Sequence, residues 1–143
     1  MRKRAKALLL TAVASLVSCS GYFIATYNPA VDSGATELQQ KVDGFLADLQ
    51  QNSGKPEAEY ERNTGFYEDA RADIQALRTA ASSQGGNGLT LQSLDLIENN
   101  LEKLEALHAD GITPEEIDVV RTLFDSQFRM LVQLENAKKR KES

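Results

Sequence analysis

Apolar residues recur at alternating spacings of three and four residues in four separate segments of this chain. That spacing places them along one face of an α-helix, whereas a half-buried strand has an apolar residue at every second position. No segment shows the two-residue alternation. The periodicity predicts helices over residues 29–51, 56–82, 91–110 and 114–139. The fold class is therefore predicted to be all-α.

The predicted helices are joined by linkers of roughly 3–9 residues, and linkers this short favour antiparallel packing of helices that follow one another in sequence. An antiparallel up-down-up-down four-helix bundle over residues 28–140 is the expected architecture. A three-helix bundle with a detached first helix has the same periodicity and stays open as the alternative.

The residues that carry the periodicity are the predicted core. In the first helix they are Val31, Ala35, Leu38, Val42, Phe45 and Leu49. In the fourth helix they are Ile117, Val120, Phe124, Gln127 or Phe128, Leu131 and Leu134. A stripe of this kind faces the neighbouring helices of a bundle.

Residues with strong preferences for helix ends mark the predicted starts of the first and fourth helices. Asn28 precedes Pro29 and Thr113 precedes Pro114. A side-chain oxygen at the first position caps free backbone N–H groups, and proline fits the first turn because it has no N–H to satisfy. Thr113 and Glu116 also have the spacing of a capping box.

The ends of the two middle helices are marked less strongly. The second helix is predicted to begin at Pro56, and the glycine-rich stretch over residues 82–88 ends it. The third helix is predicted to be capped at its start by Thr90 and to end before Gly111, since glycine accepts the left-handed conformation that closes many helices.

The first eighteen residues have the composition of an export signal. Four cations within residues 2–6 precede an apolar run over residues 7–17. A basic start followed by roughly 7–15 apolar residues is typical of a signal peptide, whereas a membrane-spanning helix needs about 20. Residues 1–18 are therefore predicted to be removed and to take no part in the fold.

The apolar run ends in Leu16, Val17, Ser18 and Cys19, with an aliphatic residue three positions before the cysteine and a small residue directly before it. This stretch resembles the lipobox of bacterial lipoproteins, and the resemblance covers residues 1–19. It implies cleavage between Ser18 and Cys19 and acylation of the Cys19 thiol. Two or three acyl chains, at ~0.8 kcal/mol per buried methylene group, hold a protein stably on a membrane.

The same resemblance implies a place in the cell envelope, with the membrane as a partner through the lipid on Cys19. In lipoproteins of the enterobacterial type an aspartate after the acylated cysteine retains the protein in the inner membrane, and here Ser20 has that position. The implied location is the periplasmic leaflet of the outer membrane in a Gram-negative host. Residues 19–27 comprise the lipidated cysteine and the tether. The aromatic residues of the tether suggest packing on the domain or a place in the membrane interface, and packing on the domain is favoured.

The mature chain is strongly acidic. Removing residues 1–18 takes four of the 16 basic residues and none of the 21 acidic ones, which leaves a net charge of −9. A nucleic-acid partner is excluded, because binding phosphates requires a positive surface. The basic cluster at residues 138–141 lies where cations complement the dipole of the fourth helix, and contact with anionic lipid is its alternative role.

Glu105 and His108 have the Glu-x-x-His spacing that di-iron helical bundles use, because residues three apart share one face of a helix. Those sites need two such motifs and two further glutamates, and this chain has one histidine. The two residues are therefore weak metal candidates, and we expect no metal or cofactor. No catalytic motif accompanies them, so we expect the protein not to be an enzyme.

Phe66 and Tyr67 are adjacent on the second helix, and adjacent helical residues point about 100° apart. One of them therefore faces away from the core, and with Phe128 they are candidates for contact with a ligand or partner. The domain is broadly similar to uncharacterised helical bacterial lipoproteins, which implies no activity. The favoured hypothesis is a structural or interaction module that binds an envelope protein. A small-ligand-binding bundle and, less favoured, a metal-binding one are the alternatives.

Overall fold

The structure, a computed structural model, describes residues 25–142, so Ser18, Cys19 and the first part of the predicted tether lie outside the described residues. It contains four α-helices, which are α1 (Pro29–Gln51), α2 (Tyr60–Ser82), α3 (Gly88–Ala109) and α4 (Pro114–Glu142). A short 3-10 helix, Pro56–Ala58, connects α1 to α2. Residues 25–142 include no β-strand. The prediction of an all-α fold is confirmed.

Each helix packs against two others, so that the four form a closed ring. α1 and α3 both contact α2 and α4, whereas neither diagonal pair has a close backbone contact. Because short loops join neighbours in the ring, successive helices run antiparallel, up-down-up-down. The four-helix bundle is therefore confirmed, and the alternative with a detached first helix is wrong. No helix of the described part is long and apolar enough to cross a bilayer.

The core of α1 follows the predicted seam with one exchange. The buried seam residues are Val31, Ala35, Leu38, Val42 and Leu49. Leu46, rather than Phe45, is the fully buried residue between Val42 and Leu49. Steps of three and of four residues both keep a side chain on one face of a helix, and here the four-residue step from Val42 to Leu46 leads to the buried position. Phe45 lies at the edge of the core instead.

The predicted starts of α1 and α4 are confirmed by their hydrogen bonds. The side-chain oxygen of Asn28 accepts from the N–H of Ala30 at 3.0 Å. At the start of α4, the N–H of Thr113 donates to Glu116 Oε2 at 2.8 Å and the N–H of Glu116 donates to Thr113 Oγ1 at 3.3 Å. This reciprocal pair is a capping box.

The second helix does not begin at Pro56. The chain makes one 3-10 turn there, and Glu59, with φ −70° and ψ 141°, is extended before α2 begins at Tyr60. An extended residue cannot continue a helical ladder, so the 3-10 turn and α2 stay separate elements.

The third helix begins two residues before Thr90. Asn87 has the N-cap position and α3 begins at Gly88, so Thr90 lies inside the first turn with its side chain buried. Gly111, with φ 93°, makes the turn that leads into α4, as predicted for a glycine after a helix. α4 continues to Glu142, three residues beyond its predicted end.

The first described residues pack on one end of the bundle. Ala25 is buried, and the N–H of Tyr27 donates to Glu142 Oε1 at 2.6 Å. The amide of Asn28 donates to the carbonyl of Ala80 at 3.0 Å. We call this end, which also holds the α2–α3 loop, the tether end. The opposite end, with the α1–α2 and α3–α4 connections, is the distal end.

Candidate functional site

His108 is buried at the distal end, where it joins three elements. Its Nε2 lies 2.8 Å from the carbonyl oxygen of Ala58, and its Nδ1 lies 2.7 Å from the hydroxyl of Tyr67. A carbonyl oxygen can only accept, so Nε2 carries a proton, and in the tautomer with its one proton there Nδ1 accepts from Tyr67. Burial raises the pKa of Tyr67, which keeps its hydroxyl protonated as the donor.

Glu105 is committed to protein partners as well. It accepts from the hydroxyl of Tyr60 at 3.1 Å through Oε1, and it pairs with Arg71 through Oε2. Both carboxylate oxygens of Glu105 and both ring nitrogens of His108 are therefore engaged. Within residues 25–142, no group of three or more His, Cys, Asp and Glu side chains is placed to hold a metal ion. The geometry gives Glu105 and His108 a structural role, the joining of α3 to α2 and to the 3-10 helix.

Phe66, Tyr67 and Phe128 lie in three different environments. Tyr67 is completely buried, whereas Phe66 is at the α1–α2 edge with its ring centroid 3.6 Å from that of Phe45. Phe128 is completely buried in the core, 6.1 Å from the ring of Phe124. The two adjacent residues thus point to different sides, as their spacing predicts. None of the three lines the cleft that His108 borders.

That cleft, of about 710 Å³, lies at the distal end. Its walls come from residues 53–61 and from the α3–α4 connection, and Tyr60 and His108 are among its lining residues. Acidic side chains surround it, because residues 48–63 and 105–116 carry eight acids and two cations. An anionic ligand is therefore disfavoured at this end.

A buried ion pair lies near the tether end. Glu135 is 0% and Lys138 3% exposed. The ammonium of Lys138 pairs with Glu135 and donates to Asn87 Oδ1 at 2.6 Å and to Thr90 Oγ1 at 2.8 Å, while that hydroxyl donates to Glu135 Oε1 at 3.0 Å. Within the basic stretch 138–141, Lys138 is therefore buried, whereas residues 139–141 are exposed. The network of Lys138 ties α4 to the start of α3.

The outer surface of α3 and α4 carries every large hydrophobic side chain that is exposed among residues 25–142. These are Leu89, Leu96, Val119, Leu123 and Met130, which are between 44% and 62% exposed. Together with the partly buried Leu107 we call them the α3–α4 face. The hydrogen bonds from Thr90 to Glu135 and from Lys138 to Asn87 indicate the register of the two antiparallel helices. Counting six residues along each helix from Thr90 and Glu135 brings Leu96 level with residue 129, next to Met130 in sequence.

A groove of about 200 Å³ runs along this face toward the distal end. Its lining residues are Asn100, Lys103, Leu107, Glu116, Val119, Val120 and Leu123. Asn100 is 7% exposed, and its Nδ2 has no hydrogen-bond partner within the described chain. A buried amide group without a partner is unusual in a folded protein.

Salt bridges, not apolar side chains, lie along the outer edges of α2 where it meets α1 and α3. Arg71 pairs with Glu105 across the α2–α3 seam, and Arg78 pairs there with Asp95. Lys41 pairs with Asp73 across the α1–α2 seam. These surfaces are solvated faces, and the α3–α4 face is the contrasting apolar one. The sequence signal for it was the seven-residue step from Leu89 to Leu96, which lies off the core seam.

No protein-family model, no curated protein and no solved structure matches the chain. The α3–α4 face and the acidic distal end are the two surface features of residues 25–142 that bear on function.

Proposed function

We propose that this chain is a bacterial envelope lipoprotein, anchored by lipid on Cys19, whose bundle is non-catalytic and binds another protein. The α3–α4 face is the observation that carries the binding role. Exposed apolar residues scattered singly are normal on a soluble surface, but a contiguous apolar patch marks an interaction site. Here five such side chains share two adjacent helices.

The proposed anchor fits the way in which the chain enters the bundle. Ala25 packs on the tether end, so five residues separate it from Cys19, and the six Cα–Cα steps between the two span at most about 21 Å. The tether end then faces the membrane and the acidic distal end faces away. Anionic lipid favours this orientation, because it repels the acids of the distal end and attracts the cations at residues 139–141. With Ser20 after the cysteine, the outer membrane is the proposed site in a Gram-negative host.

Binding of a small ligand in the distal cleft is the second candidate. The cleft volume of about 710 Å³ favours it, since ligand sites occupy roughly 300–1,000 Å³. Native mass spectrometry of the lipidated protein, released gently from its membrane, tests this role. A reproducible added mass that disappears in a Tyr60→Ala variant supports it, and the mass of the protein and its acyl chains alone contradicts it.

The protein-binding role is tested by photocrosslinking in the native membrane. A photoreactive amino acid replaces Leu123 on the α3–α4 face or, as a matched control, the exposed Glu68 on α2. The proposal expects a discrete protein adduct from position 123 and none from position 68. Equal labelling at both positions, or no adduct at 123, would contradict it.

The anchor has its own test. Cys19→Ser removes the thiol that accepts lipid, so the protein is expected to leave the membrane fraction or to retain its signal peptide. A Cys19→Ser protein that is still processed and still bound to the membrane would rule out the lipoprotein assignment.

A further inference from the structure

The α3–α4 face is almost free of charge in a protein that is otherwise acidic. Helical steps from Val119 along α4 lead to Leu123, Ser126, Met130, Gln133 and Ala137, all uncharged. The corresponding positions on α3 are Leu89, Gln92, Leu96, Asn99 and Lys103. The two charged residues of the groove, Lys103 and Glu116, have opposite signs. The face as a whole is therefore close to neutral.

We propose that this face binds the same face of a second copy of the chain, in a two-fold dimer whose axis is parallel to the helices. The inference rests on the protein-binding role proposed above and names the partner. Residues 25–142 carry 21 acidic and 12 basic side chains, a net charge of −9, so two copies repel one another over most of their surfaces. A near-neutral apolar face lets them meet while the acidic surfaces stay in water.

The size of the face suits a dimer. The 22 residues of α3 span about 33 Å, and two neighbouring helices together are about 20 Å wide. The face therefore measures roughly 660 Å² per copy, or about 1,300 Å² for two copies. Specific protein interfaces bury about 1,200–2,000 Å² in total.

The direction of the axis follows from the internal register. A two-fold rotation about an axis parallel to the helices leaves the position of each residue along that axis unchanged. Each residue of α3 therefore faces the residue of the partner's α4 that has the same number as its neighbour on the α4 of its own chain. Leu96 then lies opposite Met130 of the partner subunit. Lys103 is level with residue 122, six residues or about 9 Å from the partner subunit's Glu116, which the two side chains can bridge. Both tether ends also point the same way, as one membrane requires.

Disulfide trapping tests the dimer in the lipidated full-length protein. Two differently tagged copies are expressed together, one with Leu96→Cys and the other with Met130→Cys, so that any bond between these positions joins two chains. Mild oxidation is expected to give a band of twice the mass of one copy that carries both tags. The control replaces Met130→Cys by Glu68→Cys on α2 and is expected to give no such band. No dimer band from the first pair overturns the proposal.

Charge reversal gives a second test that does not depend on thiols. Lys103→Glu or Glu116→Lys in both copies places like charges together and is expected to lower trapping about tenfold. Because Glu116→Lys also removes the capping box of α4, circular dichroism verifies that this variant keeps its helix content. One copy of each variant restores opposite pairs, and trapping is expected to recover. Failure of recovery overturns the parallel arrangement. A photocrosslink from position 123 to a different protein, without the dimer band, overturns the dimer and leaves the protein-binding role standing.

Discussion

The hydroxyl of Tyr67 lies 2.7 Å from Nδ1 of His108, and both side chains are buried. Through its other nitrogen the same imidazole reaches the carbonyl of Ala58. One histidine thus joins α2, α3 and the 3-10 helix at the distal end. Aromatic rings surround it, with Phe45 and Tyr60 both within 6 Å of its ring centroid.

Tyr67→Phe is expected to lower the free energy of unfolding by about 1–3 kcal/mol, because it leaves the buried Nδ1 of His108 without a donor. Tyr60→Phe is the matched control. The Tyr60 hydroxyl donates to the partly exposed Glu105, which water can still solvate when the hydroxyl is removed. The expected loss in the free energy of unfolding is therefore about 0.5–1.5 kcal/mol. Urea unfolding followed by circular dichroism measures both. An equal loss in the two variants would contradict the proposed role of the His108 bond.

The buried pair of Glu135 and Lys138 predicts that removing one partner destabilises the protein more than removing both. Lys138→Met leaves Glu135 buried without its cation, and the expected loss of stability is about 3–5 kcal/mol. Lys141→Met, on the exposed end of the same helix, is expected to change stability by less than about 0.5 kcal/mol. The double variant Glu135→Leu with Lys138→Met is expected to recover at least half of the loss, since no unpaired charge is left buried. A double variant as unstable as Lys138→Met would contradict the ion-pair interpretation.

The difference between Lys138 and its neighbours explains part of what the sequence could not predict. The apolar periodicity predicted the four helices, their bundle and most of the core, because spacings of three and four residues define a single apolar face on each helix. Glu135 and Lys138 continue the seam of Phe124, Phe128 and Leu131 at steps of four and three, but their charge suggested a surface. Their pairing depends on Thr90 and Asn87, which lie about 50 residues away in sequence.

The contacts at the distal end could not be predicted either, because they join residues that are far apart in the sequence. Glu105 and His108 were recognised as a pair by their spacing, but their actual partners, Tyr60 and Tyr67, come from another helix. Cys19 is the reverse case, because its interpretation is local to residues 1–19 and those lie outside the described structure.

Asp43 gives the bundle a pH dependence. Burial raises its pKa above the ordinary 3.8, and the neighbouring Asp125 raises it further while Arg121 lowers it. The folded state therefore binds the proton more tightly than the unfolded state, and stability falls as the pH rises from 3.8 through the raised pKa. Asp43→Asn is expected to stabilise the protein at pH 7 and to have little effect below pH 3.8.

Asp125→Asn, which removes the second cause of that shift, is expected to act in the same direction with a smaller effect. Urea unfolding at a series of pH values measures both variants. Destabilisation by Asp43→Asn at pH 7 would contradict the sign of the shift.

The proposed orientation of the bundle on a membrane can be measured because the chain has one cysteine, and the proposed lipid on Cys19 leaves that cysteine unavailable to thiol reagents. A fluorophore on Ser83→Cys reports the tether end, and one on Ser53→Cys reports the distal end. α1 alone is about 35 Å long, so the two positions are expected to differ by about that height above the bilayer. Quenchers in the lipid headgroups should quench the label at position 83 and spare the label at position 53. Equal quenching would mean that the bundle lies flat, with its acidic distal end against the lipid, and the proposed orientation would be wrong.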